Sequence, residues 1–178
     1  MKLLFAFLSV VAWGIAPGAV ECACDHADAA SLEARQCSLC KEAEKQNSEI
    51  FFLKDANPRK PNRTLVLPLK HGKGQQDLRD LPAEQRTELW KAAIAKGQEL
   101  WPGGWGLAYN AETVRTQCHL HIHIGKLNEG ADESPGRLVS TPEQFPVPEP
   151  GVGIWLHPVD SGYHVHTDRE TAEPVLMR

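Results

Sequence analysis

Seven residues constrain this chain more than any other stretch. In Cys118-His-Leu-His-Ile-His-Ile124 every second side chain is an imidazole. An extended strand, whose side chains alternate between faces with period two, sorts such a sequence onto two surfaces. Cys118, Leu120, Ile122 and Ile124 then turn to a core. His119, His121 and His123 form a row on the other face, about 7 Å between successive Cα atoms. Packing gives no reason to repeat histidine, because each buried ring nitrogen needs a partner. The row is therefore read as chemistry. One reading is a metal site, with a further ligand supplied by His71, His157, His164 or His166. The other is phosphoryl chemistry. A neutral imidazole is a nucleophile at neutral pH, and flanking imidazoles can hydrogen-bond phosphoryl oxygens as charge develops there.

The elements before the row alternate in character. A charged, Ala-rich stretch over 31–47 reads as a short helix carrying Cys37 and Cys40. Ile50-Phe-Phe-Leu53 and Thr64-Leu-Val-Leu-Pro68 read as strands, separated by a turn rich in proline and asparagine. Pro82 opens the clearest helix, with Trp90, Ala93, Ile94, Gly97 and Trp101 on one apolar face. Trp101-Pro-Gly-Gly104 ends it, and Trp105-Gly-Leu-Ala-Tyr109 reads as a third strand. After the histidine row, Asp132 to Pro150 contains five prolines and reads as an extended surface linker without strand or helix. A terminal hairpin is expected from Val152-Gly-Ile-Trp-Leu156, Asp160-Ser-Gly162 and Gly162-Tyr-His-Val-His166, with His164 and His166 on a solvated face.

The N-terminus carries an address more than a fold. Lys2 precedes an almost unbroken apolar run from Leu3 to Ala16, followed by small residues, which is the anatomy of a secretory signal peptide or N-terminal anchor over residues 1–20. The chain is then expected to be exported, to a periplasm or the exterior. Four of five cysteines, Cys22, Cys24, Cys37 and Cys40, follow closely. In an oxidising compartment they suggest two disulfides, with Cys118 unpaired; a four-thiolate zinc knot is the alternative. The 178 residues carry 19 basic and 23 acidic side chains, a formal charge of −4, which argues against binding a nucleic-acid backbone.

The motif Cys118-His-Leu-His-Ile-His-Ile-Gly125 resembles the signature of the histidine-triad (HIT) superfamily, and the preceding elements stand in that family's order. Asn110, followed by Arg115-Thr-Gln117 just before the triad, is similar to the bacterial CDP-diacylglycerol pyrophosphatase family, which also begins with an apolar segment. Arg63 departs from the superfamily, many members of which carry histidine at that position.

The resemblance implies an α+β, HIT-like fold: an antiparallel sheet of about five strands with packed helices, plus a C-terminal β-hairpin. It places the catalytic domain over 21–130, a Pro-rich linker over 131–150 and the hairpin, packed on the same domain, over 151–178. It implies hydrolysis of a nucleotide pyrophosphate, CDP-diacylglycerol to CMP and phosphatidate, with His121 as nucleophile and His119 and His123 flanking it. Asn110, Arg115, Thr116, Gln117, Asp55 and His71 are the implied substrate contacts. No metal or other cofactor is needed. The implied partner is a nucleotide or nucleotide-lipid, with membrane-surface contact and a homodimer in keeping with it, and no nucleic acid. A general exported nucleotide hydrolase or transferase, and an exported zinc- or copper-binding protein, are the competing readings.

Overall fold

The computed structural model describes residues 22–72, 74–133 and 136–178; the expected signal segment over 1–20 lies outside them. The described residues form an α+β fold around one antiparallel sheet of seven strands. These are β1 (Ile50–Lys54), β2 (Thr64–Pro68), β3 (Trp105–Tyr109), β4 (Ile122–Lys126), β5 (Arg137–Val139), β6 (Ile154–Val159) and β7 (Gly162–His166), in spatial order β1-β2-β4-β3-β6-β7-β5. No helix among the described residues is long and apolar enough to cross a membrane.

One face of the sheet is covered by α2 (Ala83–Leu100), which starts after Pro82 as expected. Its buried Leu89, Trp90, Ala93 and Ile94 meet Val66, Leu107, Leu120, Ile122, Ile124 and Leu156 in the main core. Gly97 lets the helix approach, because a Cβ there would lie 3.0 Å from the Trp105 ring. The predicted alternation thus holds for Leu120, Ile122 and Ile124, each fully buried.

Four expectations change. First, the triad strand starts at Ile122, not Cys118. Strand β2 pairs with β4 only from Thr64 to Val66, and beyond that the Pro68 carbonyl accepts from the His119 ring instead, at 2.7 Å. Side chain replaces backbone in the ladder. Second, the helix expected over 31–47 is two 3₁₀ turns followed by the short α1 (Ser38–Ala43). Ala34 is extended, Cys37 is tied to Cys24 by a disulfide, and the Gln36 carbonyl accepts from the Cys118 amide at 2.8 Å. Tertiary pairing overrides helix propensity here.

Third, the Pro-rich segment is not a bare linker. Arg137–Val139 pairs with β7, Pro142–Gln144 makes a 3₁₀ turn, and Val139 and Phe145 are buried in the main core. The hairpin β6–β7 is therefore interior to one seven-stranded sheet, and not an addition to a sheet of about five strands. Fourth, the expected pair of disulfides is a single bond, Cys24–Cys37. Cys22, Cys40 and Cys118 carry free thiols, and Cys118, far away in sequence, packs in the same apolar cluster.

Candidate functional site

The sheet face opposite α2 carries the histidines. A cavity of about 450 Å³ opens there, and His121 and His123 both line it. Its other walls come from the β1–β2 turn (Asp55, Lys60), the stretch before β4 (Asn110, Arg115, Thr116, Gln117) and Glu173.

His121 is held in one tautomer. Its Nδ1 lies 2.8 Å from the His119 carbonyl oxygen, which can only accept, so Nδ1 carries the hydrogen and Nε2 keeps a lone pair. Burial pulls its imidazole down to about 4, with the backbone hydrogen bond opposing that shift. The ring is therefore neutral near pH 7, with the lone pair on Nε2.

His123 stands beside it, ring centroids 4.9 Å apart and nearly perpendicular. Its Nε2 is 3.1 Å from Glu173 Oε2, while Nδ1 has no hydrogen-bond partner among the described residues and Asp55 Oδ2 is 4.0 Å away, beyond bonding range. Burial, reinforced by His121 and Arg63, pushes the His123 imidazole well below its usual range.

His119 differs from its neighbours. It is fully buried and does not line the cavity. Its Nε2 donates to Pro68 O at 2.7 Å and its Nδ1 faces Leu39 O at 3.3 Å. Burial lowers it to about 4 as well, so the neutral ring has one hydrogen, and the shorter contact takes it. His71 also stays out of the cavity: it stacks on His119 at 4.8 Å, bonds Leu69 O at 2.9 Å and lies 3.1 Å from Glu44 Oε1. Three imidazoles in an accessible row is thus the wrong picture. Two reach the cavity, and His119 presents its carbonyl.

The remaining expected contacts line the cavity but are structurally engaged. Asn110 Oδ1 accepts from the Ala172 and Glu173 amides at 2.9 and 3.0 Å. Arg115 donates to Gln76 O at 2.5 Å and contacts Asp77 Oδ2 at 3.3 Å. Gln117 bridges Ser38 and the Arg35 carbonyl. Asp55 accepts from the Asn57 amide. Thr116 is the exception, an exposed residue of the wall.

Sequence reasoning missed Glu173, which reaches both His123 and Lys60, the latter at 2.6 Å. Arg63 puts it there. The buried guanidinium donates to the carbonyls of Glu173, Leu176 and Met177 at 2.8, 2.7 and 3.0 Å. Arg63 is thus a clamp for residues 173–177. An acid 50 residues beyond the triad leaves no local signature.

The chain matches no known family model.

Proposed function

We propose that this is an exported, HIT-like hydrolase that opens a nucleotide pyrophosphate through a covalent nucleotidyl-histidine, with CDP-diacylglycerol as substrate. The observation that carries the reading is the His121–His119 carbonyl contact, which leaves Nε2 unprotonated at the cavity. Arg35, Arg59 and Lys60 at the cavity wall give it the positive charge an anionic diphosphate needs. The cytidine and lipid specificity rest on the similarity around Arg115-Thr-Gln117 and the N-terminal apolar segment.

In the first step His121 Nε2 attacks the α-phosphorus. The N–P bond forms, the anhydride P–O bond breaks, and phosphatidate departs with the electron pair. The ring gains positive charge, and Nδ1–H donates more strongly to the His119 carbonyl, which stabilises the intermediate. Water then attacks phosphorus, its O–P bond forms as the N–P bond breaks, its proton passes to solvent, CMP leaves, and His121 takes back the electron pair on Nε2 and returns to its neutral tautomer. His123 packs beside the nucleophile, and Glu173, itself paired with Lys60, sets its orientation. His119 acts as a positioning residue through its backbone. No step requires a metal.

Rapid quench with CDP-diacylglycerol labelled in the α-phosphate tests the proposal. Acid-labile label on the protein, absent from His121→Ala, is the expected result. Turnover with no protein-bound label at any quench time would replace the covalent route with direct attack by water.

A further inference from the structure

We propose that Asp132, His157, His164 and His166 form a second site, built to hold a structural zinc ion. The hairpin sets three of the four ligands. His157 and His164 are directly opposed across β6 and β7, and His166 follows His164 by two residues, hence on the same face. Asp132 arrives from the turn Ala131–Glu133. Its Oδ1 lies 3.1 Å from His157 Nε2, 2.6 Å from His164 Nδ1 and 3.3 Å from His166 Nε2. All four ligand atoms lie within 4.8 Å of one another. None of the four residues lines the cavity that holds His121.

Hydrogen bonding alone accounts poorly for this convergence. A carboxylate oxygen has two lone pairs, and three ring nitrogens point at one oxygen. His157 Nδ1 also lies 3.2 Å from the Pro158 carbonyl. If Nδ1–H donates there, Nε2 faces Asp132 with a lone pair instead of a hydrogen. Lone pair against carboxylate is unfavourable unless a cation sits between them. A tetrahedral zinc with bonds of about 2.0–2.1 Å separates its ligands by roughly 3.3 Å, close to the 3.1 and 3.3 Å from Asp132 Oδ1 to the His157 and His166 nitrogens. A carbonyl behind a ligating histidine is the outer contact that fixes its tautomer.

The surroundings suit a rigid site. His166 is stacked on Trp155, ring centroids 3.6 Å apart and 6° from parallel. Gly136 forms the roof: a Cβ there would fall 2.6 Å from His166 Cε1 and 2.8 Å from His164 Nε2. Nitrogen and carboxylate donors select zinc over calcium or magnesium. Four protein ligands leave no open position, so the ion's role is to tie residue 132 to the hairpin. Two other ligand groupings are weaker. In Cys22, Cys24 and Cys118, Cys24 is consumed by its disulfide. In His26, Glu44 and His71, the short His26–Glu44 ion pair already satisfies the acid.

The test uses the full chain, stripped with chelator, dialysed and titrated with zinc, with bound metal and melting temperature as readouts. Wild type is expected to retain one zinc per chain and to melt higher with it. His164→Gln and Asp132→Asn, both at partly exposed side chains, are expected to bind roughly 100-fold more weakly or worse, since even outer-shell losses cost 10–100-fold, and to lose the thermal shift. Cys118→Ser and His26→Gln should bind like wild type. Cobalt(II) should give tetrahedral ligand-field bands without thiolate charge transfer. If His164→Gln does not fold, Asp132→Asn decides. Absence of bound zinc in wild type, wild-type binding by Asp132→Asn, thiolate bands, or loss of binding in His26→Gln would each overturn the proposal.

Discussion

The carbonyl oxygen of His119 lies 2.8 Å from the Nδ1 of His121, so the backbone of one triad residue fixes the tautomer of the next. This separates the two residues' contributions. His121→Ala should abolish turnover while leaving substrate binding measurable. His119→Ala keeps the carbonyl and should keep the nucleophile aimed, losing its ring contact with Pro68 and therefore stability. His123→Ala should slow turnover without abolishing it, since it removes the ring packed beside the nucleophile and releases Glu173. Single-turnover kinetics alongside melting curves distinguish the three.

Burial holds His119 and His121 near 4, below the ordinary value of 6.5. The folded state therefore binds fewer protons than the unfolded one between these values. Stability is complete above about pH 6.5 and falls as pH drops toward 4, by on the order of 3 kcal/mol for each histidine. Denaturant midpoints measured from pH 8 to 4 should show this, with a shallower slope in His119→Gln. The rate should have no acid limb near 6.5, since the nucleophile stays neutral well below it.

The buried Arg63 guanidinium serves three carbonyls at once. Arg63→Ala should cost about 3–5 kcal/mol, the range for removing one member of a buried charged network. Arg63→Lys keeps the charge but loses the planar fork, and should stabilise less while raising KM through a displaced Glu173. Urea melts and steady-state kinetics on the lysine variant read both effects.

The Cys24–Cys37 bond spans 13 residues, and replacing both cysteines by serine should cost roughly 3 kcal/mol by loop entropy. Alkylation of denatured, non-reduced protein should modify Cys22, Cys40 and Cys118 but not Cys24 or Cys37. Burial pushes the Cys40 thiol up to about 12, so in the folded state it should react slowly.

Chelation should lower the melting temperature through the Asp132–His157–His164–His166 group without abolishing turnover at His121. Assays run well below the melting point, with and without chelator, check both halves.

Local pattern carried much of this architecture. Period-two alternation places Leu120, Ile122 and Ile124 in the core, and the apolar stripe of α2 is read correctly from Trp90 to Gly97. What failed was long-range. Strand β5 has three residues, too short for any periodicity and hidden among prolines. His166 was expected on a solvated face, yet it is buried between Trp155 and Gly136. Its surroundings depend on Asp132, more than 30 residues earlier. His119 is equivalent to His121 by spacing, but β4 starts only at Ile122 and the His119 ring turns to Pro68. Sequence spacing describes a strand; it does not say where the neighbouring strand stops.

The Arg63 clamp has a consequence for the order of assembly. Strands β1 and β2, and β6 and β7, meet across short connections, whereas Arg63 joins residues 110 or more positions away. Closing so large a loop is slow in conformational search. A chain in mid-folding would hold its paired histidines before it held Glu173. The cavity would then gain its Glu173 wall only after its two histidines were in place, so a complete cavity would report that folding has finished.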